Sequence, residues 1–112
     1  MTLTRTMEEM QDAVDVYISQ FEEGYFPPME LLARLQEELG ELAREIQHIY
    51  GMKKKKDTEA IRSLEEEIGD LLFVLICLAN REQINLDMAL GRVMDKFATR
   101  DADRWTKKGD VK

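Results

Sequence analysis

Two stretches of this sequence carry carboxylates in the same pattern. Leu35-Gln36-Glu37-Glu38-Leu39-Gly40-Glu41-Leu42 aligns with Leu64-Glu65-Glu66-Glu67-Ile68-Gly69-Asp70-Leu71, 29 residues on. Each copy holds a carboxylate, an apolar residue, a glycine, a second carboxylate and a leucine. The result is two i,i+3 pairs, Glu38/Glu41 and Glu67/Asp70, each projecting from one face of a helix. Gathered carboxylates repel one another unless a cation or protons neutralise them. With no paired histidine or cysteine nearby, the donor set favours a hard cation, and Mg²⁺ binds through a few carboxylates, waters and substrate phosphates. A solvated acidic face is the competing reading of any one Glu-rich stretch; the duplication in equivalent register, each copy with its glycine, favours the metal.

Helical geometry supports convergence. With Leu35 as zero and about 100° per residue, the leucine and isoleucine stripe of this segment falls within about ±50°. Glu38, Glu45 and Glu41 then stand at about −60°, about −80° and about −120°. Glu67 and Asp70 take the same two angles as Glu38 and Glu41 when measured from Leu64. Packing the two helices on their stripes therefore lets both acid pairs border one cleft. Gly40 and Gly69 each cost about 1 kcal/mol relative to alanine inside a helix, which points to a need for space or for close helix approach.

Other candidates are weaker. Arg92, Lys96 and Arg100 lie at i, i+4 and i+8, a cationic line able to receive phosphate oxygens or simply to face solvent. The lysine run 53–56 reads as a solvated loop. His48 follows Glu45 in a Glu-x-x-His spacing used by di-iron bundles, but such sites need it twice and this chain has one histidine. It reads as a histidine favoured by the negative end of a helix. Cys77 lies within an apolar run and reads as a core thiol. Trp105 can stack on a nucleobase or pack against a neighbouring subunit.

The elements that must position these groups follow from periodicity. Met10, Val14, Tyr17 and Phe21 mark a first helix over 5–23. Pro27 and Pro28 break it and start a second, whose stripe of Leu35, Leu39, Leu42, Ile46 and Ile49 runs to Gly51. Asp57 or Thr58 caps a third helix reaching Asn80. Its second half, 71–79, is apolar all round and must be surrounded by protein, which predicts a second subunit. Asn85 or Asp87 opens a fourth helix with a buried stripe of Leu86, Leu90, Val93 and Phe97. No stretch alternates as a strand would, so the expected fold is an all-α, four-helix bundle completed by homo-oligomerisation.

Size and charge set the frame. The chain has 112 residues, 16 Lys+Arg and 23 Asp+Glu, a formal charge of −7. One domain spans 1–112, with 100–112 as a polar tail. The acidic balance argues against a nucleic-acid polymer as partner. The apolar run 71–79 is far short of the roughly 20 residues that cross a bilayer, so no membrane is expected. A lone cysteine suits a reducing, cytoplasmic setting.

At Glu37-Glu38-Leu-Gly-Glu41 and Glu66-Glu67-Ile-Gly-Asp70 the chain resembles the MazG-type nucleotide pyrophosphohydrolases of the all-α NTP pyrophosphatase superfamily. The likeness extends from Tyr25 through Lys96-Phe97-x-x-Arg100 to Arg104-Trp105, and suits the short, single-domain bacterial members. It implies Mg²⁺-dependent cleavage, with Mn²⁺ as a substitute, of a nucleoside triphosphate to the monophosphate and pyrophosphate. Carried over by motif position, Glu38, Glu41, Glu67 and Asp70 are the metal ligands. Glu37 is the additional acid that orients or deprotonates the attacking water, with Glu41 also counted among the catalytic residues. Lys96 and Arg100 match phosphate-holding positions. Many relatives carry an asparagine where this chain has Met94. The family further implies a homodimer or a dimer-of-dimers tetramer. Phosphoribosyl-ATP is a competing substrate, and a non-catalytic helical oligomerisation module is the reading from another class.

Overall fold

The computed structural model describes residues 5–51 and 57–109, the latter with side chains from residue 63 onward. All regular structure among them is helical: α1 (Met7–Ile18), α2 (Pro28–Tyr50), α3 (Asp57–Arg81) and α4 (Leu86–Thr99). The lysine run 53–56 and the side chains of Asp57 and Thr58 lie outside the described part.

Local chemistry sets the boundaries. Thr6 opens α1 with a capping box: its Oγ1 accepts from the Glu9 amide at 3.0 Å, while its own amide donates to Glu9 Oε1 at 2.9 Å. The helix ends at Ile18 rather than reaching 23. The amides of Gln20 and Phe21 turn back to Tyr17 and Ile18, three residues earlier, and Gly24 reverses the chain at φ 61°. Pro28 occupies the first position of α2, where its missing amide costs nothing. At the other end a Cβ on Gly51 would collide with the Gln47 carbonyl, so the residue is glycine for space rather than for a left-handed backbone. Gln83, at φ 58°, closes α3 with the Ile84 amide donating to Ala79 O at 2.8 Å. Asn85 caps α4 by accepting from the Met88 amide at 2.9 Å.

The central unit is the α2–α3 pair, and α1 packs on both α3 and α4. Val14, Leu31, Val74, Ile76 and Cys77 form the core, with Ile18, Tyr25, Phe26, Leu35, Leu78 and Leu86 packed against it. Three hydrogen bonds tie the start of α4 to α1: the Glu8 amide donates to Asp87 Oδ2 at 3.0 Å, Asn85 Nδ2 donates to Glu8 Oε1 at 3.2 Å, and the Leu86 amide donates to Gln11 Oε1 at 2.8 Å.

Periodicity identified shared faces correctly but overstated their burial within one chain. Of the first stripe only Val14 is buried; Met10, Tyr17 and Phe21 are exposed. Leu39 and Leu90 keep 57% and 55% of their surfaces, and Val93 and Phe97 are exposed too, so the expected buried stripe of α4 is largely uncovered. Along 71–79, Val74, Ile76, Cys77 and Ala79 are buried, whereas Leu72, Phe73 and Leu75, which alternate with them around the helix, are open. A 112-residue chain drawn out to 59 × 41 × 36 Å across its Cα atoms has little interior in which to cover a helix on every side. No helix among the described residues is long and apolar enough to cross a membrane.

Candidate active site

The repeated motif brings three acids together. One carboxylate oxygen each from Glu38 on α2 and from Glu67 and Asp70 on α3 lie within 4.8 Å of one another. Glu38 and Glu67 are half-buried and Asp70 is exposed. Glu67 Oε2 is buried and accepts no hydrogen bond among the described residues, and such an atom carries a desolvation cost until a donor or cation meets it.

Electrostatics agree with the geometry. Burial raises the Glu38 pKa above the usual carboxylate range, as do the charges of Asp70, Glu41 and Glu37; the Arg34 guanidinium opposes them. Glu67 is raised by burial and then by Glu41, Asp70, Glu38 and Glu45. Glu41 thus belongs to the acidic field while standing outside the tight trio, on the exposed side of α2. Glu37 is exposed beside Glu38. Glu45, which the helical angles set among the acids, is buried at 8% exposure.

A cleft of about 250 Å³ adjoins the trio. Its charged lining is Arg34, Glu38 and Asp70; its apolar and aromatic lining includes Tyr25, Phe26, Leu31, Phe73, Val74 and Cys77. Arg34 sits one helical turn before Glu38 and lies over the Phe26 ring, 5.3 Å from its centroid. Sequence reasoning passed over Arg34 and Tyr25. For Arg34 a signal existed in its i−4 spacing from Glu38; for Tyr25 no periodicity reaches into the connection between α1 and α2.

The expected phosphate-binding residues are elsewhere. Lys96 and Arg100 are exposed on α4, the helix that packs on α1. Lys96 Nζ stands over the Phe97 ring at 5.5 Å, and Arg100 Nε is 3.6 Å from Asp101 Oδ1. Neither is among the charges that shift Glu38 or Glu67. Arg92, Met94 and His48 are exposed, Cys77 is a buried free thiol, and Trp105 is exposed with Arg104 over its ring. A Cβ at Gly40 or Gly69 would meet nothing within 4 Å, so close packing inside one chain does not account for either glycine.

Residues 26–105 match the MazG nucleotide pyrophosphohydrolase domain. The uncharacterized protein YpjD of Bacillus subtilis is 61% identical over 108 residues, covering 96% of this chain and 97% of that protein. Its crystal structure superposes with a TM-score of 0.79 at 59% identity, over 88% of this chain and all of the other. The crystal structure of the Bacillus-conserved MazG protein, a nucleotide pyrophosphohydrolase, superposes with a TM-score of 0.77 at 53% identity, covering 91% and 99%.

Proposed function

We propose that this chain, which belongs to the MazG nucleotide pyrophosphohydrolase family, hydrolyses nucleoside triphosphates to the monophosphate and pyrophosphate with Mg²⁺, clearing unwanted nucleotides from the cytoplasmic pool. The observation that carries this reading is the convergence of Glu38, Glu67 and Asp70 beside a largely apolar cleft, with Glu67 Oε2 buried and without a donor among the described residues. An all-oxygen, all-carboxylate set with an unmet buried lone pair fits a hard divalent cation. Glu38, Glu41, Glu67 and Asp70 would hold it, and Mn²⁺ would substitute. Bound there, the ion supplies neutralisation of the acids and polarisation of the phosphoryl oxygens.

The remaining work falls to side chains. The apolar cleft takes the nucleoside and sets the triphosphate beside the acids, while Arg34 meets its charge near Glu38. Glu37, exposed and next in sequence to Glu38, accepts the proton of the attacking water. The water oxygen bonds to the α-phosphorus, the bond from that phosphorus to the bridging oxygen breaks, and pyrophosphate departs with the electron pair. No covalent enzyme intermediate is required.

Lys96 and Arg100 stabilise the departing pyrophosphate, and they do so across a subunit boundary. Two facts support this placement: no α4 residue is among the charges that shift the Glu38 and Glu67 pKa values within the chain, and Leu90, Val93 and Phe97 on that helix stay uncovered, as do Leu72, Phe73 and Leu75 on α3. A homodimer, or a tetramer of two such dimers, would cover these faces. The deciding experiment incubates the protein with a panel of NTPs, dNTPs and phosphoribosyl-ATP plus Mg²⁺. Release of pyrophosphate is expected; release of orthophosphate alone would refute the cleavage position.

A further inference from the structure

A polar chain of hydrogen bonds runs through the largely apolar interior and ends on the cleft. Gln11 on α1 is only 8% exposed and engages every side-chain polar atom. Its Nε2 donates to Asn80 Oδ1 at 2.9 Å and to the Ile84 carbonyl at 2.7 Å, and its Oε1 accepts from the Leu86 amide at 2.8 Å. Asn80, at the end of α3, donates through Nδ2 to the Gln11 carbonyl at 2.9 Å and to the Tyr25 hydroxyl at 2.9 Å. That hydroxyl in turn donates to Asp15 Oδ1 at 2.7 Å. Four parts of the chain meet in this way: α1, the connection to α2, the end of α3 and the start of α4.

The network ends on a residue with a task. Tyr25 lines the same cleft as Glu38, Asp70 and Cys77, and it lies in the connection between α1 and α2, outside either helix. A tyrosine anchored only by its ring would be free to tilt; with its hydroxyl both accepting from Asn80 and donating to Asp15, the ring has one orientation. Burial and the Asp15 hydrogen bond push the Tyr25 pKa up to about 12, so the hydroxyl stays a donor throughout the neutral range.

We infer that Asn80 is a positioning residue which, through the Tyr25 hydroxyl, fixes the Tyr25 ring as a wall of the cleft and so sets its fit for the nucleoside of the substrate. The nucleoside part rests on the function proposed above; the fixing of the wall does not. Asn80 touches no reacting atom in this scheme. Its effect is confined to how well the cleft receives the organic half of the substrate.

The test uses the full-length protein with Tyr25→Phe, Asn80→Ala and the double variant, and reads two quantities. In steady-state hydrolysis of the preferred triphosphate, each single variant raises KM at least fivefold and leaves kcat within twofold, and the double variant is no worse than the poorer single one, because both cut the same link. A fall in kcat with KM unchanged, or additive effects, would overturn the assignment. The second readout needs no substrate. Cys77 is the only cysteine and is buried beside the wall, so its alkylation by N-ethylmaleimide under native conditions reports wall opening. Alkylation is expected to speed up in both variants by more than their change in global unfolding free energy, taken from urea melts, can account for. If it follows global stability alone, the role is merely structural. If the wild-type protein hydrolyses no triphosphate, the proposed function fails while the alkylation rates still decide the positioning role.

Discussion

Glu38 on α2 and Asp70 on α3 each place a carboxylate oxygen within 4.8 Å of the other, and after burial the Asp70 charge is the largest cause holding the Glu38 pKa above its usual range. The two residues occupy different slots of the repeated motif, the first of one copy and the second of the other. Like charges kept this close are a standing cost to the folded chain, and a cost retained at a cleft is the pattern expected where function rather than stability governs the residues.

Opposite effects on activity and stability follow. Glu38→Gln and Asp70→Asn each remove a repelling charge while preserving shape, so turnover should fall by about 10²-fold or more. The helical signal in circular dichroism should be unchanged, and the metal-free melting temperature equal to or above that of the wild type. A variant that lost activity only in proportion to its helix content would count against a direct role.

Acidity should stabilise the metal-free site. Glu38 and Glu67 have pKa values raised from the ordinary value of 4.5, so between that value and the raised ones the folded state binds more protons than the unfolded state. Their repulsion is fully felt above the raised pKa values, is relieved as pH falls through them, and is gone below 4.5. Compared with Glu67→Gln, the wild type in EDTA should therefore gain stability as pH falls from neutral toward this window. Added Mg²⁺ should stabilise it most at neutral pH, where protons compete least. Melting curves over pH with and without Mg²⁺ test both halves; a wild-type chain that lost stability relative to Glu67→Gln on acidification would contradict them.

Two inactive proteins should make an active one. If Lys96 and Arg100 act on the acid site of a neighbouring subunit, mixing Glu38→Gln with the Lys96→Ala/Arg100→Ala double variant under conditions of subunit exchange restores a fraction of wild-type turnover. Absence of recovery despite exchange, checked by sedimentation of labelled subunits, would return these cations to their own chain.

Gln11 should be costly to replace. Gln11→Ala removes bonds to the Ile84 carbonyl, the Leu86 amide and Asn80, leaving polar groups in the interior with no new partner. A loss of about 2–4 kcal/mol in urea-melt stability is expected. A loss under about 1 kcal/mol would mean that water replaces the side chain.

Much of the site was legible before any tertiary contact. The duplicated spacing and the 3.6-residue period together set Glu38, Glu67 and Asp70 on equivalent edges of two stripes, because rotation per residue in a helix depends on backbone geometry alone. The two prolines, Gly51 and Asn85 marked helix ends for equally local reasons. Periodicity could not reveal which stripes find a cover: it sorts residues by face, whereas burial depends on which neighbour arrives. Hence Leu39, Leu90, Val93 and Phe97 read as core yet remain open.

The sequence by itself determined an all-α chain with two acid pairs in register, since helix period and like-charge repulsion are properties of neighbours along the chain. Only the tertiary structure decided that Arg34 and Tyr25 share the cleft with Glu38 and Asp70, that Gln11 and Asn80 anchor Tyr25, and that α4, the helix bearing Lys96 and Arg100, packs on α1. These are contacts between residues as far as 79 positions apart, such as Glu8 and Asp87. They depend on how whole helices dock, which the free energy of the assembled interior settles and no local spacing encodes.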